Sequence, residues 1–210
     1  MQKIPQAQLQ HVKDLYYKKR MNMREIASKL KVSIDATVYF MRKYSLPRRS
    51  YSEFNRLAFE RKPLSFTKNK GKTLYDKEFL LAGAMLYWGE GAKGNEKLHS
   101  NTVDFVNSDP RMVAVFLRYL RHCYMIDEKR LRVLLYCYSN QNVKALMRFW
   151  SKVTRIPFQQ FIKPYVRKDF SKTSRKTEHG TIHIRYSDKK LLNEIKKMIE
   201  YYGDKFAPVA

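Results

Sequence analysis

Cysteine is nearly absent from the sequence: its 210 residues include only Cys123 and Cys137. The two do not form a Cys-x-x-Cys pair and the histidines are scattered, so the pattern argues against a structural zinc site. Both thiols are predicted to be buried, because a free cysteine behaves as a small hydrophobic side chain. Unpaired cysteines are also typical of a reducing compartment, and the expected location is the cytoplasm.

Long apolar runs are absent as well, and no window reaches the roughly 18 apolar residues that a membrane-spanning helix requires. The first twenty residues carry several charged side chains and no apolar segment of the kind that forms a secretory signal. These absences argue against an exported protein and against one that spans a membrane. The composition, with 44% hydrophobic and 14% aromatic residues, is sufficient for the core of one large domain or two small ones.

Acidic residues are scarce: 19 Asp and Glu stand against 43 Lys and Arg, which gives a formal charge of +24. Such an excess indicates a polyanionic partner, and nucleic acid is the first candidate, with a membrane surface as the alternative. The charge is spread along the chain, with 18 basic and 5 acidic residues in 1–72 and with 25 and 14 in 73–210. Both parts are therefore expected to contact the polyanion.

The segment 61–72 is basic, contains a proline and a glycine, and shows no helical periodicity. It is predicted to be a linker that follows a phosphate backbone, with Lys68 and Lys70 as candidate contacts. The predicted organisation is a first domain over 1–60, a linker over 61–75 and a second domain over 76–210.

Three short helices are predicted in the first domain from apolar residues at helical spacing. The first covers 6–20, the second follows from Met23, and the third begins at Ser33, which can cap it, and ends near Tyr44. The string Met23-Arg-Glu-Ile-Ala-Ser-Lys-Leu-Lys-Val-Ser33 resembles the helix-turn-helix of resolvases and small bacterial regulators, with Lys31 where a turn glycine is usual. The resemblance implies that the third helix enters the major groove of DNA.

The outer side of the third helix and the basic strip after it provide the candidate DNA contacts of this domain. The outer positions follow from the inward spacing of Phe40, Met41 and Tyr44. The candidates are Ser33, Asp35, Tyr39, Arg42, Lys43, Arg48 and Arg49. A three-helix cap without a ligand is the alternative interpretation of this domain.

Helices and strands alternate from Asp76 onwards, which predicts an α+β domain. Strands are expected at 102–107, 130–138, 158–166 and 181–186. Basic residues alternate with apolar ones in these strands, so one face of the sheet is predicted to be open, basic and turned towards DNA. The candidate contacts on this sheet are Arg130, Arg132, Lys163, Arg167, His183 and Arg185.

Residues 84–91, Ala-Met-Leu-Tyr-Trp-Gly-Glu-Gly, end an apolar helix with a lone carboxylate, Glu90, between two glycines. The C-terminus of a helix carries partial negative charge, so a carboxylate there needs a compensating cation or hydrogen-bond donors. A divalent metal ion is the simplest such cation. The octapeptide resembles the end of the motif of LAGLIDADG homing endonucleases, and the alternation of helices and strands over 76–202 agrees with that family.

Two positions of the octapeptide depart from the family pattern. Met85 stands where a small glycine is usual, and Trp88 stands where a second acid is common. Both departures affect the close packing of two such helices. Gly83, one turn away, could allow the close approach instead. With the first domain included, the resemblance implies a three-helix helix-turn-helix followed by a LAGLIDADG-like αββα-type domain with a basic, DNA-facing sheet.

The resemblance further implies Mg²⁺-dependent cleavage of DNA, in which acids from two related helices hold the ions that activate water. Glu90 is the implied metal ligand and catalytic acid. If 146–152 is a diverged second copy of the motif, Lys152 takes the place of the second acid and becomes a catalytic candidate near the scissile phosphate. Cleavage then requires a homodimer with two Glu90 side chains; the alternative is a pseudo-symmetric monomer. Glu90 alternatively caps loop amides or pairs with Lys93.

Two functions follow from these patterns. The first is a sequence-specific, Mg²⁺-dependent endonuclease that acts on double-stranded DNA, and the second is a DNA-binding regulator that keeps the fold without cutting. A third class is an RNA-binding module, because the abundant Tyr and Phe residues can stack on unpaired bases, although no stacking motif is recognisable.

Overall fold

The computed structural model of the chain describes residues 3–71, 73–92, 101–168 and 177–207. Within these ranges the protein is mixed α+β, with eight α-helices and one four-stranded sheet. It divides into two compact units, Met1–Pro63 and Leu64–Ala210. The first unit is helical in its described part, and the second contains the sheet.

Four helical segments form the first unit. They are α1 (Leu9–Lys13, preceded by a 3-10 turn at Gln6–Gln8 and continued by π-helical turns at Asp14–Lys18), α2 (Met23–Leu30), α3 (Ile34–Lys43) and α4 (Tyr51–Arg61). The core of this unit is built around Val12, Leu15, Ile26, Phe40 and Met41. The three helices expected in this unit are therefore present, with the first one divided among three helical geometries.

The fourth helix, α4, was not predicted. Ser50 caps it, since the Ser50 hydroxyl accepts a hydrogen bond from the N–H of Glu53 at 3.1 Å. Leu57 is its one buried residue, so the helix has little apolar periodicity to detect. It is held in place by polar contacts: the Arg61 guanidinium lies 3.0 Å from the Glu25 carboxylate at the start of α2.

The second unit alternates helices and strands. Its elements are α5 (Leu74–Glu90), β1 (Val103–Asn107), α6 (Pro110–Tyr124), β2 (Leu131–Tyr138), α7 (Val143–Thr154), β3 (Tyr165–Arg167), β4 (Thr181–Tyr186) and α8 (Lys189–Phe206). The strand order is β1-β4-β2-β3. β4 pairs antiparallel with β1 and with β2, whereas β3 runs parallel to β2.

One face of the sheet is covered and the other is open. Alternate residues of the three longer strands, such as Phe105, Val133 and Ile184, are fully buried against apolar side chains of α6, α7 and α8. The residues between them are half-buried or exposed. The predicted strand over 158–166 is wrong for its first part, because Phe158–Gln160 forms a 3-10 turn and regular pairing begins only after Pro164, which lacks an N–H.

Thr73 caps α5, and Asp76 completes a capping box with it. The Asp76 N–H donates to the Thr73 hydroxyl at 3.1 Å, and the Asp76 carboxylate accepts from the Thr73 N–H at 3.0 Å. His122 Nε2 lies 2.7 Å from the same carboxylate. The Thr73 hydroxyl, then the Thr73 N–H and His122, lower the pKa of Asp76 to about 2.

Much of the predicted linker 61–75 lies within the second unit, which begins after Pro63. Phe66 is buried, and its ring meets that of Tyr124 edge-on with the centroids 5.8 Å apart. The N–H of Thr67 donates to the carbonyl of Tyr124 at 3.0 Å. This basic segment therefore packs against the second unit in a defined way. Its high charge and its lack of periodicity gave no indication of that packing in the sequence.

Candidate nucleic-acid interface

The α2–turn–α3 segment is built by local capping. Asn22 and Glu25 form a capping box at the start of α2, with the Glu25 N–H 2.8 Å from the Asn22 side-chain oxygen. Lys31 ends the helix in the left-handed conformation at φ 54°, and its N–H bonds back to the carbonyls of Ala27 and Ser28. Two residues later the Ser33 hydroxyl caps α3 by accepting from the Ala36 N–H at 3.1 Å.

The two sides of α3 differ sharply in burial. Thr37, Phe40 and Met41 are buried in the core of the first unit. Asp35, Arg42 and Lys43 are exposed on the other side, and Tyr39 keeps 63% of its surface accessible. Ser33 is half-buried, and its hydroxyl oxygen already accepts the capping hydrogen bond from the Ala36 N–H. The exposed side has the mix of cations and an aromatic ring that groove-reading helices use.

Arg48 and Arg49 are neighbours in sequence with opposite environments. Arg48 is exposed, whereas the Arg49 side chain is only 9% exposed. The Arg49 guanidinium lies 4.0 Å from the centre of the Tyr16 ring, and it donates to the carbonyls of Met21, at 2.9 Å, and of Tyr16. Its donors are thus used inside the first unit. The guanidinium ties the segment before α4 to the end of the first helical segment, a structural role that the sequence did not indicate for this candidate DNA contact.

A cleft of about 640 Å³ lies beside the start of α3. Its lining includes Arg24, Arg48, Ile34 and the aromatic residues Tyr51 and Phe54 of α4. Tyr51 is 83% exposed and Phe54 is 45% exposed. Sequence reasoning missed these two aromatic side chains, since α4 itself was not expected.

Asp104 sits on the open face of the sheet among the predicted basic contacts. Its carboxylate accepts from Arg185 Nε at 2.9 Å and lies 3.0 Å from His183 Nδ1. The register explains the contact, because Asp104 and Arg185 are directly opposite each other on β1 and β4. The charge of Arg185 is thus partly neutralised within the sheet, and His183 contacts the same carboxylate. In the sequence, Asp104 alternates with the apolar Val103 and Phe105. This alternation was the signal that could have placed a carboxylate on the open face of the sheet.

The other two arginine candidates near β2 lie in different places, one before the strand and one on it. Arg130 precedes β2 in a 3-10 turn and does not project from the strand; its guanidinium lies 5.3 Å from the centre of the Tyr186 ring. Arg132 is exposed on β2, and its Nη1 donates to the carbonyls of Lys129 and Leu131 at 2.7 Å. The open face is therefore less uniformly basic than predicted.

The remaining lysine and arginine candidates lie at the surface of the second unit. Lys163 and Arg167 are exposed, the first just before β3 and the second within it. Lys70 is exposed in the segment before α5. Lys68 forms an ion pair with Glu194 of α8, so its charge is balanced inside the unit.

Glu90 is the last residue of α5 and is exposed. The following Gly91 is extended, with φ −72° and ψ 146°, and its N–H bonds to the Tyr87 carbonyl at 2.7 Å. Among the described residues, no group of three or more His, Cys, Asp or Glu side chains is arranged to hold a metal ion. The described donors around Glu90 are therefore too few to fit Mg²⁺. Lys93, the alternative partner of Glu90, lies outside the described residues.

Lys152 belongs to a basic surface on the helical side of the second unit. It is exposed near the end of α7, and neither α6 nor α7 contains an Asp or Glu residue. Arg118, Arg121 and Arg155 line a cleft of about 430 Å³ on this side, and Arg121 is paired with Glu128 at 2.7 Å. The absence of Asp and Glu from both helices is visible in the sequence and could have predicted this basic surface.

No family model, no curated protein and no solved structure matches this chain. In the part of the chain that the structure describes, no helix combines the length and the apolar character needed to cross a lipid bilayer.

Proposed function

We propose that this chain is a sequence-specific protein that binds double-stranded DNA through an N-terminal helix-turn-helix and a second, LAGLIDADG-like α+β domain. The observation that carries the proposal is the two-sided α3: one side is buried in the core, and the other presents Tyr39, Arg42 and Lys43 to solvent. The net charge of +24 supports a polyanionic partner for the whole chain.

The proposal is tested first by selecting bound fragments from random duplexes and sequencing them. A defined motif is the expected result, and the symmetry of the motif shows how many copies of the protein bind one site. A palindrome indicates a homodimer, whereas an asymmetric site indicates a monomer. Recovery of sequences without a shared motif contradicts sequence-specific binding.

Replacing Arg42 by alanine is expected to weaken binding to the selected site by about tenfold, because an exposed arginine on α3 can contact a base edge or a phosphate. Binding is measured by fluorescence anisotropy at several salt concentrations. The matched control is Lys18→Ala, which also removes one cation but from a 75%-exposed side chain paired with Asp14. Equal losses in the two variants, or affinity that does not change between about 50 and 200 mM salt, would contradict the proposal.

We further propose that a single chain binds DNA without cutting it, in the manner of a regulator. The support is that, among the described residues, no group of three metal-binding side chains forms around Glu90 or elsewhere. The endonuclease function requires a second copy to bring another Glu90 alongside.

Glu90→Gln separates the two functions, because it removes the charge of a metal ligand and keeps the size of the side chain. The expected result is that both proteins bind the selected site equally and that neither nicks supercoiled plasmid carrying the site in the presence of Mg²⁺. The nicking assay and the anisotropy assay are run on the same preparations. Mg²⁺-dependent nicking by the unaltered protein that is lost in Glu90→Gln would establish the endonuclease instead.

A further inference from the structure

Three aromatic rings form a continuous row across the open face of the sheet. Tyr165 on β3, Tyr136 on β2 and His183 on β4 lie side by side. The ring centroids of Tyr136 and Tyr165 are 5.0 Å apart, and those of Tyr136 and His183 are 4.7 Å apart. The planes of neighbouring rings are tilted by 42° and 31°. All three face away from the helices, so the core does not explain their presence.

The row is both accessible and fixed in position. Tyr165 is 56% exposed, and the other two rings are half-buried. His183 Nδ1 lies 3.0 Å from Asp104, whose carboxylate orients the imidazole ring. Regular strand pairing aligns Tyr136 directly with Tyr165. A ligand that stacks on these rings therefore meets a surface whose geometry is already formed.

The surroundings of the row suit a nucleotide. The rings line a cleft of about 860 Å³, together with Thr181, Arg167 and Lys168. This volume lies within the range of about 300–1,000 Å³ that is usual for small-molecule sites. Arg167 and Lys168 are both exposed, so cations flank the aromatic surface where a phosphate backbone would lie.

Aromatic rings of this kind distinguish paired from unpaired bases. In a duplex the face of each base is covered by its neighbours in the stack, and a protein reads only base edges and phosphates. An unpaired base leaves its face free to stack on a tyrosine. The row of Tyr136 and Tyr165, flanked by cations, is thus better matched to an unpaired base than to an intact duplex.

We propose that the row Tyr165–Tyr136–His183 is a stacking site for unpaired DNA bases, by which the second unit binds a gapped, flipped or locally opened segment. The proposal rests on the proposed DNA-binding function and adds the state of the DNA that this surface recognises. Arg167 and Lys168 contact the phosphates on either side of the stacked base.

The test compares a fully paired duplex with the same duplex carrying a short single-stranded gap, with 2-aminopurine as the reporter base in the gap. The unaltered protein is expected to bind the gapped duplex more tightly and to quench the 2-aminopurine fluorescence by stacking. Tyr165→Ala is expected to weaken binding to the gapped duplex by about 5- to 100-fold and to abolish the quenching, with little change for the paired duplex. Tyr165→Phe keeps the ring and is expected to retain both properties.

Tyr201→Ala is the matched control, because Tyr201 is also 56% exposed but lies on α8, away from the sheet face. Far-UV circular dichroism checks that each variant is folded. Equal behaviour of Tyr165→Ala and Tyr201→Ala would mean that the row only stabilises the sheet, and it would overturn the stacking site. A single-stranded RNA of the gap sequence that binds more tightly than the gapped DNA would overturn the choice of DNA as the ligand.

Failure of this inference is distinguishable from failure of the proposed function. Tight binding to paired duplex without any preference for the gap removes the stacking site and leaves the DNA-binding function intact. Absence of binding to paired and gapped DNA alike removes both.

Discussion

Replacing Gly83 by alanine is expected to destabilise the second unit by about 3 kcal/mol, a large cost for one methyl group. A Cβ atom at this position would lie 2.1 Å from the ring of Tyr119 on α6. That ring cannot easily move away, because Tyr119 is fully buried and is packed against Phe116 and Tyr124. The close approach of α5 to α6 therefore requires a residue without a side chain.

Urea unfolding followed by circular dichroism measures this effect, and a second glycine of the same helix provides the control. Gly89 has no atom within 4 Å of the place where a Cβ would be. Gly89→Ala is therefore expected to stabilise α5 by about 0.5–1 kcal/mol, through the higher helix propensity of alanine. If both substitutions change the free energy of unfolding by the same amount, the steric explanation of Gly83 is incorrect.

Gly83 also bears on the resemblance to the LAGLIDADG family. The resemblance implies a small residue that lets two motif helices pack closely, and Gly83 was the available candidate. In the structure this glycine approaches α6 of its own chain. Trp88, one of the two departures from the family pattern, is 45% exposed, and Met85 is half-buried. A contact between two copies of α5 would therefore have to use these larger side chains and not Gly83.

Local signals in the sequence predicted most of the secondary structure. Asp109 stands directly before Pro110 at the start of α6, and Asp188 stands directly before α8; in each case the carboxylate accepts from N–H groups of the first turn. Alternation of apolar residues also located β1 and β4. These signals are local, since caps and periodicity depend on residues a few positions apart.

Contacts between distant residues could not be predicted in the same way. Asp104 neutralises Arg185, which is 81 positions later, and only the strand register brings the two together. Similarly, nothing local distinguishes Arg49 from Arg48, because the partner of Arg49 is Tyr16, 33 positions earlier. The sequence therefore indicated the same role for Arg48 and Arg49, although the structure exposes the first and largely buries the second.

Arg49→Ala is expected to destabilise the first unit by about 2–3 kcal/mol. The substitution removes a charged donor from the carbonyls of Tyr16 and Met21 and removes a cation from the face of the Tyr16 ring. Because the side chain is only 9% exposed, water cannot fully replace these interactions. The loss is measured as a lower urea midpoint of the first unit.

Arg48→Ala is the matched control, because it deletes the same side chain at the adjacent, exposed position. We expect it to leave the urea midpoint unchanged and to weaken DNA binding by a few-fold through the loss of a phosphate contact. Arg49→Ala should weaken binding only in proportion to the fraction of unfolded protein, so adding selected DNA in excess should restore the complex. If Arg49→Ala kept full stability but lost DNA binding, its guanidinium would have to contact DNA after all, and the assignment of Arg49 to the core of the first unit would be wrong.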